Sequence, residues 1–250
     1  MGSTDDRLHT NPQDLSTEEV DIVSSMYDAS LRQLDAELER LIDGLKERGL
    51  WKQSHVAFTS DHGEEFREHG NLTHCTEPFE EGAHVPLLFK LGTEDLTDVE
   101  QVTSTIDIGP TLLGAALDNP YNPRRFHGTS LCPALRGESS LPEDRAVFAQ
   151  NANRDGREVD LDLLITGCRT SEWKFITARD KHISTKLFHL PSDPREQTNV
   201  AEEEPERVAR FEKIVADHYD QPAYTDYGID DALETGVVGE RLEALGYIGH

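Results

Sequence analysis

Cysteine is scarce in this chain of 250 residues, and long apolar runs are absent. The three cysteines, Cys75, Cys132 and Cys168, are widely separated and show no C-x-x-C spacing, so neither a disulfide framework nor a zinc site is expected. No apolar run approaches the roughly 20 residues that span a bilayer. Residues 1–13 are polar and lack a signal-peptide core. These absences predict reduced thiols in a cytoplasmic protein without membrane contact, unless a secretion signal stood upstream of Met1.

Basic residues are also few. Lys and Arg number 24 against 49 Asp and Glu, which leaves a formal charge of -25. Such a surface disfavours nucleic acids and anionic membranes as partners. The charge is scattered along the chain and Lys is much scarcer than Arg, which favours a halophilic protein of a high-salt cytoplasm, where screening suppresses self-repulsion. An ordinary acidic protein is the alternative.

The hydrophobic pattern predicts an α/β fold with a mostly parallel sheet flanked by helices. Ser16 and Glu19 form a capping-box pattern that opens a long amphipathic helix, with one face packed, and Gly49 is placed to end it. Short β-prone runs follow at 55–60, 85–89 and 101–106, and a helix is entered at Pro110. Strands that alternate with helices are typical of parallel sheets.

The pattern changes after about residue 140. Strand candidates at 145–150, 163–169, 173–178 and 186–190 predict a small antiparallel sheet, and 202–219 predicts an amphipathic helix. The expected organisation therefore has four parts. They are a disordered lead-in (1–15), an α/β catalytic region (16–140), a small α+β subdomain (141–220) and an acidic tail (221–250).

Asp61 and His62 lie where a buried strand ends, which is where ligands bind in parallel α/β folds. A carboxylate suits calcium or magnesium, and an imidazole shifts the preference toward manganese or zinc. An isolated Asp-His pair is common, and Asp61 could equally be a turn residue. The context favours a site, because the same loop carries His69 and His74 beside several glutamates. A solvated acidic loop would explain the glutamates but not the histidines.

Six blocks of the sequence resemble the sulfatase family of the alkaline phosphatase superfamily. In chain order they are YDASLRQLD (27–35), TSDHGE with EHG (59–64 and 68–70), FEEGAHVPL (79–87), DIGPTLL (107–113), GTSL with LRG (128–131 and 135–137), and LFHL with DPRE and Asn199 (187–190 and 193–196). Each block is weak alone, but their common order over roughly residues 27 to 200 indicates the C-terminal portion of a sulfatase, with the incomplete fold of that family.

The resemblance implies hydrolysis of sulfate or related phosphate esters, with Asp61 and His62 as ligands of a divalent cation (calcium, magnesium, manganese or zinc). It places His74 where the family has a residue facing the transferred group, so His74 is a catalytic candidate, or else a plain loop residue. His69 is a second catalytic candidate, either as a partner of the metal ligands or as a structural residue. His84 stands where many members have Arg, and a packing role is expected for it.

Two family elements are missing from these 250 residues. No C/S-x-P/A-x-R motif stands ahead of Asp61, where the family has its formylglycine, and no Asp-Asp pair follows a β-prone run there. The letters of the motif are matched at 132–136, but that stretch coincides with the later GTSL block. The stretch that begins at Cys132 has its proline one residue early, and Cys75 lacks the arginine, so both are expected to be small buried residues. The sequence thus predicts a fragment whose nucleophile would come from a missing N-terminal half. A phosphodiesterase or phosphonate ester hydrolase, and an inactive interaction module, are the alternatives.

Overall fold

One long helix and three small antiparallel sheets are the main elements of the computed structural model, which describes residues 15–73, 77–117, 126–151, 164–180 and 183–220. The helices are α1 (Thr17–Glu47), α2 (Glu80–Ala83), α3 (Ile108–Leu117), α4 (Cys132–Leu135) and α5 (Pro205–Tyr219), with short 3-10 helices at Trp51–Gln53 and Thr105–Asp107. The strands are β1 (His55–Thr59), β2 (Glu65–Phe66), β3 (Leu72–Thr73), β4 (Leu87–Leu91), β5 (Val147–Asn151), β6 (Ile165–Arg169), β7 (Trp173–Ala178) and β8 (Lys186–His189). The predicted lead-in, apart from Leu15, and the predicted tail lie outside the described residues.

The ends of α1 are confirmed. Glu19 accepts the backbone N–H of Ser16 at 2.8 Å, and Ser16 Oγ accepts the N–H of Glu19 at 3.2 Å, which completes the capping box. Gly49 follows the helix with φ of 70°, a conformation that glycine adopts without strain. The predicted packing of a whole face is wrong, because Val20 is the one buried residue of the helix and five large apolar side chains are exposed: Ile22, Met26, Leu31, Leu34 and Leu41.

The first sheet pairs β1 with β4, and the pairing is antiparallel, from His55 opposite Leu91 to Thr59 opposite Leu87. The predicted parallel sheet is not found among the described strands, all of which pair antiparallel. The reason lies in the connection, which consists of the β2–β3 hairpin and a single turn of helix rather than the long crossover helix that usually joins parallel strands. The chain is thereby turned back, and β4 runs against β1.

The strand predicted at 101–106 is also wrong. Ser104 and Asp107 form a second capping box that opens the 3-10 helix at Thr105–Asp107 instead. Asp107 is fully buried, and Arg145 donates to its two carboxylate oxygens at 2.7 and 2.8 Å. This buried ion pair fixes the segment as a turn into α3, because the carboxylate needs partners that a strand would not supply.

The C-terminal strands are found close to their predicted positions. They pair in the order β5–β6–β7–β8, all antiparallel, and α5 packs Phe211 and Val215 against the sheet. Cys168, in this core, has its pKa raised to about 12 by burial. Cys132 is buried as predicted and Cys75 lies outside the described residues. Within the described part of the chain, no helix is long and apolar enough to cross a membrane.

Candidate metal centre

Asp61 and His62 lie directly after β1, as the sequence predicts. The carboxylate of Asp61 is 88% exposed and its Oδ1 accepts the backbone N–H of His62 at 3.0 Å. This hydrogen bond, aided by the His62 ring, holds the pKa of Asp61 below its ordinary value. Asp61 is therefore an ionised carboxylate at neutral pH, which is the form that binds a cation.

The ring of His62 is oriented by the backbone. Its Nδ1 lies 2.7 Å from the carbonyl oxygen of Gly63, so Nδ1 carries the proton and donates it, and Nε2 is left with the lone pair. Nε2 lies 3.8 Å from Oδ2 of Asp61. One cation with bonds of about 2.1 Å can bridge such a pair. The two side chains thus fit a shared divalent cation, although two ligands alone bind one weakly.

The turn after His62 is packed against α2. The N–H of Gly63 donates to the carbonyl oxygen of Gly82 at 2.8 Å. A Cβ at position 63 would stand 2.0 Å from the carbonyl oxygen of Glu81, so only glycine fits this approach. The position of Asp61 and His62 therefore depends on how α2 is held.

An open cleft of about 1200 Å³ begins at Asp61 and His62. Its far wall is the C-terminal sheet, so both parts of the chain build it. Polar and charged residues of that wall and of the α2 turn are Gln150, Asn151, Arg169, Lys174, Glu80 and His84. His84 is 72% exposed, so the packing role expected for it is wrong. A cleft with this lining can hold a polar, anionic ligand next to the metal pair.

A buried ionic cluster joins α2 to the C-terminal sheet. Lys174, on β7, is 1% exposed and donates to Glu80 at 2.9 Å, and Nε of Arg169, on β6, lies 3.1 Å from both Glu80 oxygens. Burial acts to raise the pKa of Glu80, but the two cations outweigh it and lower the pKa. Glu196 Oε2 accepts the N–H of Glu80 at 2.6 Å, and its Oε1 lies 3.9 Å from Lys174.

The sequence prediction missed this cluster, although one signal was present. Lys174 lies within the apolar strand Trp173–Ala178, where a lysine is buried only if it is paired. Glu80 lies in the FEEGAHVPL block that carries the family resemblance, and Glu196 lies in DPRE. The contact between Glu80 and Glu196 could not be predicted from the sequence, because 116 residues separate them.

His69 does not line the cleft but is enclosed behind it. Its side chain is 11% exposed and its ring stacks on Phe79 at 3.6 Å between centroids. Nδ1 faces Glu81 Oε1 at 2.5 Å, and Nε2 faces the carbonyl oxygen of Glu196 at 3.0 Å. Glu65 completes a group whose ligand atoms lie within 4.8 Å of one another, but its Oε1 already accepts the N–H groups of His69 and Asn71. These atoms are therefore engaged in hydrogen bonds.

The other candidate, His74, lies outside the described residues. The structure therefore brings Asp61 and His62 together at the cleft and places His69 apart from them. The catalytic roles of His69 and His74 stay predictions.

Two family models match the chain. One, described as Sulfatase, matches residues 5–118, and one, described as N-sulphoglucosamine sulphohydrolase, C-terminal, matches residues 68–218. The arylsulfatase K of Gallus gallus is 32% identical over 206 residues, which are 81% of this chain and 38% of that protein. The chain thus spans less than half the length of the curated relatives it matches.

Solved structures show the same fold. A putative sulfatase from Bacteroides thetaiotaomicron superposes with a TM-score of 0.69 at 18% identity, covering 81% of this chain and 44% of the other. The phosphonate monoester hydrolase of Agrobacterium radiobacter gives 0.66 at 24% identity, covering 83% and 43%.

Proposed function

This chain belongs to the sulfatase family of the alkaline phosphatase superfamily, and we propose that it supplies one side of the active site of a metal-dependent sulfuric ester hydrolase. The observation that carries the proposal is the pair formed by Asp61 and His62 at the mouth of the cleft. Nε2 of His62 lies 3.8 Å from Oδ2 of Asp61, and its tautomer is fixed by the Gly63 carbonyl.

The residues of the chain have separate tasks in this proposal. Asp61 and His62 hold a divalent cation, which when bound neutralises the ester oxygens and favours attack. The α2 turn keeps both ligands in place through the Gly63 to Gly82 hydrogen bond. Arg169 and His84 line the cleft beside Glu80 and offer hydrogen-bond donors to an anionic substrate. We place the nucleophile outside these 250 residues, because the stretch that matches the C/S-x-P/A-x-R motif, residues 132–136, holds Cys132 in the buried core and not in the lining of the cleft.

The alternative substrate class is a phosphonate or phosphate ester. It is favoured by the likeness in fold to the phosphonate monoester hydrolase, and an Asp-His pair suits either ester. A sulfate monoester and a phosphonate monoester each carry one negative charge on the transferred group, so charge alone separates only a phosphate monoester, with up to two, from the sulfate.

Manganese titration tests the metal pair in the chain as it stands. Mn²⁺ broadens NMR signals near its site even when it binds weakly, so we expect selective broadening at residues 60–63 and at His84 on the cleft rim. Asp61→Asn should weaken this broadening by about tenfold, because the variant loses a charged ligand. Asp43→Asn, an exposed carboxylate of α1, is the matched control and should change nothing.

Hydrolysis of aryl sulfate and aryl phosphonate esters, with Mn²⁺ or Ca²⁺ present, then tests the activity. We expect turnover only when a segment carrying the nucleophile is added, and a preference for the sulfate. Equal broadening in wild type and Asp61→Asn would refute the metal pair, and preference for the phosphonate would favour the alternative class.

A further inference from the structure

His69 meets an oxygen acceptor at each ring nitrogen. Glu81 Oε1 faces Nδ1 at 2.5 Å and the carbonyl oxygen of Glu196 faces Nε2 at 3.0 Å. A carbonyl oxygen only accepts hydrogen bonds, and so does an ionised carboxylate, whereas a neutral imidazole has a single N–H to donate. Both contacts are hydrogen bonds only if the ring carries two protons.

The amide of Gln197 does not donate a hydrogen bond to Nε2 of His69 in place of a proton on the ring. Its Nε2 lies 3.3 Å from Nε2 of His69, but this NH₂ group already donates to the carbonyl oxygen of Arg195 at 2.9 Å and to that of Glu68 at 3.3 Å. An amide nitrogen has two hydrogens and no acceptor capacity. Nε2 of His69 must therefore donate to Glu196 for the geometry to be satisfied.

The surroundings also favour a cation at this position. The ring lies parallel to Phe79, at 2° between planes, and an aromatic face stabilises a positive charge. The charged groups around the ring are Glu65 of β2, Glu81 of α2 and Glu196 of the segment after β8. Behind them lies an anion with two cations, Glu80 with Lys174 and Arg169. Burial lowers the pKa of His69, but the contacts with Glu81 and Glu196 outweigh it and raise the pKa above its ordinary value.

We propose that His69 is held as an imidazolium that acts as a positioning residue, tying the metal loop to α2 and to the chain at Glu196. The metal loop is residues 60–71. Glu81 precedes Gly82, whose carbonyl holds the N–H of Gly63, so the tie reaches the residue beside His62. A role of this contact in catalysis rests on the proposed function. The charge state of His69 and its contacts with α2 and Glu196 are independent of that function.

The effect of pH follows from the direction of the shift. A raised pKa means that the contact stabilises the folded chain fully below the unfolded value of about 6.5, and that this stability is lost as the pH rises through the folded-state pKa. Loss of one proton would leave an acceptor oxygen facing a bare ring nitrogen, which is repulsive. The metal loop should therefore loosen at alkaline pH.

Ring-nitrogen NMR of the full chain, with ¹⁵N-labelled histidine, tests the charge state without any variant. At pH 6.5, an ordinary exposed histidine is only about half protonated. We expect both nitrogens of His69 to remain protonated there. The spectrum of a neutral tautomer, with one unprotonated nitrogen, would overturn the proposal whatever manganese binding shows.

Amide hydrogen exchange tests the positioning role. His69→Gln should raise the exchange rate of the Gly63 amide by at least about tenfold relative to wild type at pH 6 and abolish the extra loosening at alkaline pH. His189→Gln, a half-buried histidine of β8 bonded to Ser192, is the matched control and should leave Gly63 protected. Unchanged Gly63 protection in His69→Gln would refute the tie. Failure of manganese binding with this protection intact would refute the proposed function alone.

Discussion

At the residue scale, contacts with backbone groups set the geometry of Asp61, His62 and the turn that follows them. His62 is oriented by a carbonyl group, and Gly63 fits against α2 because it has no side chain. Such contacts are sensitive to one added methyl group, because a neighbouring carbonyl oxygen has no space into which it can move.

Gly63→Ala is the most direct probe of this sensitivity. The added Cβ would stand 2.0 Å from the Glu81 carbonyl oxygen, so the turn must shift, and we expect a loss of about 1–3 kcal/mol in the free energy of unfolding, with weaker Mn²⁺ binding. Gly44→Ala, in the last turn of α1, meets only the flexible end of Arg48 and should instead stabilise by up to about 1 kcal/mol. Urea unfolding measures both. Equal effects of the two substitutions would contradict the close packing at Gly63.

At the scale of elements, stability is concentrated in the C-terminal sheet and not in α1. The sheet and α5 share a core in which Phe175 and Leu187 are fully buried. By contrast, α1 is held by its caps and first turns, and most of its apolar side chains are exposed. The amphipathic pattern of α1 predicted the helix correctly, since periodicity reports which residues share a face, but it cannot report what covers that face.

The same substitution in the two elements should show this difference. Leu187→Ala removes a fully buried side chain and should cost about 2–5 kcal/mol in the free energy of unfolding. Leu41→Ala, at 59% exposure on α1, should change it by no more than about 0.5 kcal/mol. Urea denaturation followed by tryptophan fluorescence measures both, and a large cost for Leu41→Ala would show that the α1 face is covered.

For the whole molecule, local features were predictable from sequence and long-range pairings were not. The capping box at Ser16, the strand before Asp61 and the four strands of the C-terminal sheet follow from neighbouring residues. The antiparallel return of β4 and the buried role of Asp107 depend on partners elsewhere in the chain. The placement of Asp61 and His62 together after β1 was predictable because their motif is contiguous, whereas the ionic cluster behind them is assembled from distant segments.

The ionic cluster has a consequence for folding kinetics. Its contacts join residues 94 and 116 positions apart, so they close large loops and can form only after the α2 turn and the C-terminal sheet have taken shape. The cleft should thus be completed on the native side of the folding barrier. Lys174→Met, which leaves Glu80 and Glu196 without their buried cation, should mainly speed unfolding and leave the refolding rate within about twofold of wild type. Stopped-flow refolding and unfolding rates show how the loss of stability is divided between the two steps. A slowing of refolding that accounts for the whole loss would show that the cluster forms early.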